Sequence, residues 1–140
     1  MQTGKLRYVV RDLPLESIHK GAFKAAEATR CALEQGKYWE MHGRLFARQQ
    51  ELGREHLAKH AQALGLEVAA FERCVETGKY ADAIRKDMAE AQRLQATDTP
   101  TFFLGATDAA TSQIKATKLV GAQPDSAFKE AIDRLLSSLK

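Results

Sequence analysis

The groups able to do covalent or metal chemistry are few in this chain of 140 residues: two cysteines, Cys31 and Cys74, and four histidines. A thiol becomes a nucleophile or redox centre when a helix N-terminus or a nearby cation lowers its pKa. Cys31 and Cys74 stand far apart in the sequence, outside any Cys-x-x-Cys, each at an apolar or border position inside a helical stretch. Two buried free thiols acting as small hydrophobes are favoured over a structural disulfide tying two helices together, and a catalytic pair comes last. His56 and His60, four apart, share one helical face, but no third ligand completes a zinc pattern, so a solvated face outweighs a metal site. His42 follows Trp39 at a border of the core, and His19 lies near a helix start. Neither a glycine-rich phosphate loop nor a Gly-x-Ser-x-Gly elbow occurs, so the residues alone hold no complete active site and call for no metal or cofactor. One local feature is left over: Thr99-Pro100-Thr101, directly ahead of an apolar strand.

The elements that must position these groups follow from periodicity. Lys5 to Arg11 alternates with period two and reads as a strand, stopped by Leu13-Pro14-Leu15. Five amphipathic helices are predicted next, over 17–35, 37–50, 54–64, 67–77 and 79–95, with glycines at the ends of several. In the second of them Trp39, His42 and Phe46 form one face, expected to close the core together with Phe71 of the fourth. Thr97 to Pro100 is a loop, 101–104 a short strand ending at Gly105, 106–113 a polar connection, and 115–120 a last strand closed by Gly121. The segment 124–140 is the cleanest helix, striped by Phe128, Ile132, Leu135 and Leu139. Strand, five helices, hairpin, helix is the order of a small α/β sheet interrupted by a helical insertion.

Composition narrows the function classes. A chain of this length is one domain with a sizeable core. Its 44% hydrophobic and 28% charged residues are ordinary globular values. The net charge of +3 is spread along the chain, which weighs against nucleic acid as the main partner. No apolar run approaches a membrane span. The N-terminal residues Met1-Gln2-Thr3-Gly4-Lys5 carry no signal-peptide pattern, so the chain as written reads as cytoplasmic.

Taken together, three stretches resemble the DsbA-like branch of the thioredoxin superfamily. They are Cys31-Ala32-x-x-Gln35-Gly36-Lys37-Tyr38-Trp39-Glu40-Met41-His42-x-x-Leu45-Phe46, then Thr99-Pro100-Thr101-Phe102-Phe103-Leu104-Gly105, then Val120-Gly121-Ala122-Gln123-Pro124. The resemblance covers the whole chain and implies a thioredoxin-like α/β fold with a helical domain inserted over 17–95, residues 1–16 and 96–140 being its sheet and terminal helix. It further implies a periplasmic thiol:disulfide oxidoreductase acting on extended or unfolded proteins, a cis Thr99–Pro100 bond, and Thr99, Pro100 and Thr101 as the substrate-facing loop. The family's Cys-x-x-Cys, on the helix after a strand ahead of Lys5, is absent, so this chain is expected to be a truncated or degenerate member with no catalytic residue of its own. Cys31 and Cys74 match other positions, in the insertion. Asp98 stands where the family more often has a small uncharged residue, and a carboxylate there would disfavour a neighbouring thiolate.

Two function classes result. One is a fragment or relative of a disulfide-exchange enzyme; the other is a non-catalytic module that takes up peptides along the Thr99–Pro100 strand edge. A glutathione-using enzyme on the same scaffold is a weaker third. The missing central strand leaves the Lys5–Arg11 strand with three options: pairing with 101–104, borrowing a strand from a second copy, or coming loose. A homodimer across the exposed sheet edges is favoured, and coming loose is the poorest choice.

Overall fold

The computed structural model describes residues 4–107 and 115–139 and contains six helices and two strands among them. The chain is α/β and divides into two compact units, Met1–Ala91 and Gln92–Lys140.

The first unit is helical: α1 (Ala22–Leu33), α2 (Tyr38–Ala47), α3 (Arg54–Ala63), α4 (Val68–Glu76) and α5 (Ala81–Arg93), which crosses the unit boundary at its end. The sequence places the start of α1 at Ser17, but the helix begins at Ala22. Gly21 takes φ 88°, a left-handed conformation that costs a residue without Cβ nothing, and this breaks the run. At the other end, Lys37 N–H reaches back to Ala32 O (2.9 Å) around Gly36, so the glycine closes the helix. The N-cap of α4 is Glu67, whose carboxylate accepts from the Ala70 N–H (2.8 Å). Gln35 and Glu67 also exchange side-chain–backbone bonds in both directions, fastening the end of α1 to the start of α4.

The core of this unit is built from Ala28, Cys31 and Ala32 of α1 against Met41, Leu45, Leu57, Phe71 and Cys74. Phe71 is buried as expected, but Trp39 and Phe46 are 54% and 66% exposed. The small alanines of α1 admit the slimmer Met41 and Leu45, and the aromatic edge of α2 turns outward. His60 also departs from the expected solvated face. It is 1% exposed, its Nδ1 accepts from Arg44 Nε (2.9 Å), and its Nε2 lies 3.0 Å from Glu51 O. Both ring nitrogens are thereby used, as burial of an imidazole demands. Glu27 is buried as well: Lys24 Nζ is 2.6 Å from Oε2. That is an ion pair by distance, yet neither carboxylate oxygen has an aligned hydrogen bond among the described residues.

Lys5 to Arg11 forms no strand; the described sheet consists only of two later strands. A ladder needs a partner, and side chains anchor this segment instead. Tyr8 stacks on Trp39 (centroids 5.9 Å), Arg11 pairs with Asp87 (3.3 Å), and Asp12 accepts from Arg30 Nε (2.5 Å). Most of the segment is exposed, so its backbone groups are open to water rather than buried and unpaired. That removes the penalty which made coming loose look poor.

In the second unit, β1 (Thr101–Gly105) pairs antiparallel with β2 (Ala116–Val120), in the register Thr101↔Val120 to Gly105↔Ala116. The helix α6 (Asp125–Ser138) packs on this hairpin, with Phe128 edge-on to Phe102 (4.8 Å). Its apolar stripe is only half-buried, and Leu139 is 60% exposed. Most of the expected 106–113 connection, the first three residues and Lys140 lie outside the described residues.

Candidate functional site

Thr99, Pro100 and Thr101 lead directly into β1, in the second unit. The Thr99–Pro100 peptide bond is cis. Thr97 to Pro100 are exposed and Thr101 half-buried. The loop is held from both sides: Thr101 Oγ1 donates to Asp98 O (2.6 Å), and Gly121 N–H donates to Pro100 O (2.8 Å). Before it, Gln95 has φ 55°, a left-handed value uncommon for a residue with Cβ. Lys118 of β2 reaches across to the carbonyls of Leu94 (3.4 Å) and Gln95. Among the described residues no hydrogen bond takes up the Thr99 N–H or C=O. A surface backbone donor and acceptor are thus fixed in place and open, at the end of a strand edge. Such an edge can accept an extended polypeptide. Asp98 receives the Thr97 hydroxyl (2.8 Å), so its carboxylate is turned toward its own loop.

Cys31 and Cys74 are joined in a disulfide within the first unit, and no cysteine is free. This overturns the preference for free thiols. Sequence separation concealed the pairing, but α1 and α4 bring the two Cα atoms to 5.9 Å. Cys31 is 2% exposed and Cys74 7%. Attack at the outer sulfur would expel a Cys31 thiolate into an apolar core, which makes it a poor leaving group. The bond has the surroundings of a structural link.

Around its outer end lies a small polar cluster. Glu34 Oε1 accepts from Tyr80 OH (2.7 Å) and Lys79 Nζ (2.7 Å), and sits 3.7 Å from the Cys74 sulfur. The hydrogen bonds from Lys79 and Tyr80 hold the Glu34 carboxyl below its ordinary range. Glu34 in turn raises both Lys79 and Tyr80. A shallow cleft lined by Glu34, Arg73, Cys74, Thr77 and Lys79 opens there. With no thiol proton on Cys74, the cluster can orient charges but has no nucleophile to activate.

A second cluster was not legible in the sequence. Arg30 bridges Asp12 (2.5 Å) and Asp87 (2.6 Å), and Asp87 also accepts from Asp12 N–H (3.1 Å) and Arg11 (3.3 Å). Burial pushes the Asp12 carboxyl above its usual range despite the hydrogen bond and charge of Arg30, and Asp87 adds to the rise. Burial works against the charged Arg30, but Asp12 and Asp87 together outweigh it and raise its pKa. Among the described residues, no group of three acidic, His or Cys side chains could hold a metal ion. No described helix is long and apolar enough to cross a membrane.

Two comparisons bear on this geometry. A family model described as thioredoxin matches residues 1–134. Among curated proteins, the chain is 40% identical over 99 residues to the Na(+)/H(+) antiporter NhaA 3 of Salinispora tropica, covering 71% of this chain and 15% of that protein. It is 38% identical over 101 residues to the Na(+)/H(+) antiporter NhaA 1 of Mycobacterium sp. (strain KMS), covering 71% and 16%. It is 39% identical over 99 residues to the Na(+)/H(+) antiporter NhaA of Herminiimonas arsenicoxydans, again 71% and 16%. The chain therefore spans only about one-sixth of the length of these relatives.

Proposed function

Because the chain belongs to the thioredoxin family, we propose that it is the substrate-facing part of a DsbA-like thiol–disulfide exchange module, with residues 17–95 as a helical insertion. The single observation that supports this reading is the exposed Thr99–Thr101 loop, with an open backbone donor and acceptor at the mouth of β1. Thr99 pairs with the polypeptide substrate through its main chain, and Pro100 and Thr101 complete the substrate-facing loop beside it. Exchange chemistry requires a Cys-x-x-Cys, which this sequence does not contain. Cys31 and Cys74 are committed to their own bond. The chain by itself is accordingly expected to show no dithiol oxidase or insulin-reductase turnover; activity lost on Cys31→Ser would overturn the assignment of these cysteines. The coding sequence ahead of Met1 tests the reading more sharply. An in-frame Cys-x-x-Cys there supports it, whereas its absence together with retained binding of an unfolded polypeptide leaves the non-catalytic peptide-binding module in its place.

The relatives supply a second reading of context. In proteins named Na(+)/H(+) antiporters this module is a small part of a longer polypeptide, and the present module is proposed to work beside such a membrane protein. The Cys31–Cys74 bond supports placement on the oxidising, periplasmic side, since reducing compartments keep thiols free. Self-association belongs to the same proposal. A two-stranded sheet leaves strand edges for a second copy, so sedimentation at micromolar concentration should give a dimer, and a clean monomer removes that partner.

A further inference from the structure

The first unit carries an aromatic surface that anchors the segment 5–11 on one side, stays largely exposed on the other, and has no part in the proposed function. Along α2 and the segment ahead of α1, rings follow one another without a gap. Tyr8 stacks on Trp39 (5.9 Å), Trp39 meets His42 edge-on (5.7 Å), and His42 lies against Phe46 (4.8 Å). Tyr38 touches both Trp39 and His42 (5.1 and 5.9 Å). Tyr8, Val9, Trp39 and Phe46 are each about half or more exposed, from 48% to 66%. A single exposed apolar residue needs no explanation, but a contiguous run of this kind marks a contact surface.

The charges beside it say what kind of contact. The acids of this stretch are already neutralised: Glu40 by Lys37 (3.0 Å) and Glu51 by Arg48 (3.1 Å). Asp12 and Asp87 are committed to Arg30. Lys5 and Arg7, three and one positions before Tyr8, have no acidic partner among the described residues. The uncompensated charge in the segment that carries Tyr8 is therefore positive. Amphipathic Trp and Tyr rings flanked by uncompensated Lys and Arg match the two layers of an anionic membrane surface. The rings suit the headgroup boundary, and the cations suit the negative lipid charge.

We propose that this face docks the module on an anionic bilayer surface, with Trp39, Tyr8 and Phe46 at the headgroup level and Lys5 and Arg7 against the lipid phosphates. The contact lies on the surface; no described helix is long and apolar enough to span the bilayer. It rests on the first unit alone and stands or falls apart from the Thr99–Thr101 reading.

Trp39 is the only tryptophan in the chain, so its emission reports the contact directly. The full chain is titrated with vesicles of phosphatidylglycerol mixed with phosphatidylcholine, and with vesicles of phosphatidylcholine alone, at low and high salt. A blue shift with co-sedimentation on the anionic vesicles, weakened by salt, is expected. Lys5→Gln with Arg7→Gln should lower that affinity roughly thirtyfold. Phe46→Ser should weaken it too, and its 66% exposure leaves folding intact, which circular dichroism checks. Three results overturn the proposal. They are no binding, equal binding to neutral vesicles, or a Trp39 shift caused by an unfolded polypeptide and not by lipid, which would make the face a protein contact.

Discussion

Reducing the Cys31–Cys74 bond, or replacing both cysteines by alanine, should lower the stability of the helical unit by about 4 kcal/mol. The bond closes a loop with a sequence separation of 43. In the chain-entropy account, cross-linking a loop of that length removes about 4 kcal/mol of disorder from the unfolded state. Single domains are stable by roughly 5–15 kcal/mol in total, so the loss takes a large share. The location adds to the effect. Cys31 sits at 2% exposure between Ala28 and Ala32, on the face of α1 that forms the core. Two alanines would leave the space of both sulfurs unfilled within the core cluster that also holds Phe71 and Val75. Denaturant unfolding followed by far-ultraviolet circular dichroism, with and without reductant, gives the difference directly. An unchanged midpoint on reduction would mean that packing alone holds α1 to α4. The Glu34 cluster provides an internal control: Glu34→Gln leaves the disulfide in place and loses only the surface ion pair to Lys79, which contributes little.

How far the sequence reached is best seen residue by residue. Apolar spacing located all six helices and the hairpin to within a few residues, because each helix turns one apolar stripe inward and α1, α3 and α4 end just before a glycine. The Thr99–Thr101 loop stood out locally as a proline at the entry to a β-rich run, but its reading as a substrate-facing site came only from the family resemblance. Two kinds of feature were not. Gly21, inside an apparently continuous helical pattern, delays the start of the helix through a backbone conformation that periodicity does not register. Lys5–Arg11 has the composition of a strand, but a strand exists only with a neighbour, and local alternation cannot say whether one is present. The inverted face of α2 belongs here too. Trp39 and Phe46 are more apolar by type than Met41, yet the small α1 surface decides which side faces in. Long-range polar pairs escape for a simpler reason: nothing local to Asp12, Arg30 or Asp87 announces the other two.

That triad gives the other large expected effect. Asp87→Ala should cost about 3 kcal/mol, whereas Asp12→Asn should cost much less at neutral pH. Asp87 is 7% exposed and receives three donors: Arg30 Nη2, Arg11 Nη1 and the Asp12 N–H. Removing it leaves a part-buried backbone donor unpaired and halves the charge opposite Arg30. Breaking a buried pair costs roughly 3–5 kcal/mol; the low end applies because Arg30, 21% exposed, keeps Asp12. Arg11, 68% exposed, adds little. Asp12 has the opposite balance. Burial raises its pKa, with Arg30 working against the rise and Asp87 adding to it, so the folded state holds its proton more tightly than the unfolded chain does. Its contribution is therefore fully present below the unfolded value of about 4 and is lost as pH rises through the folded value. Asp12→Asn removes that decline and keeps the backbone bond to Asp87, so the variant's stability should be flatter in pH just above 4. Because the triad holds the segment whose Tyr8 stacks on Trp39, Asp87→Ala should also alter Trp39 emission before global unfolding, and Asp12→Asn should not. Equal losses for the two variants at neutral pH would show that Arg30 treats its carboxylates as equivalent partners, contrary to the asymmetry of their burial and hydrogen bonding.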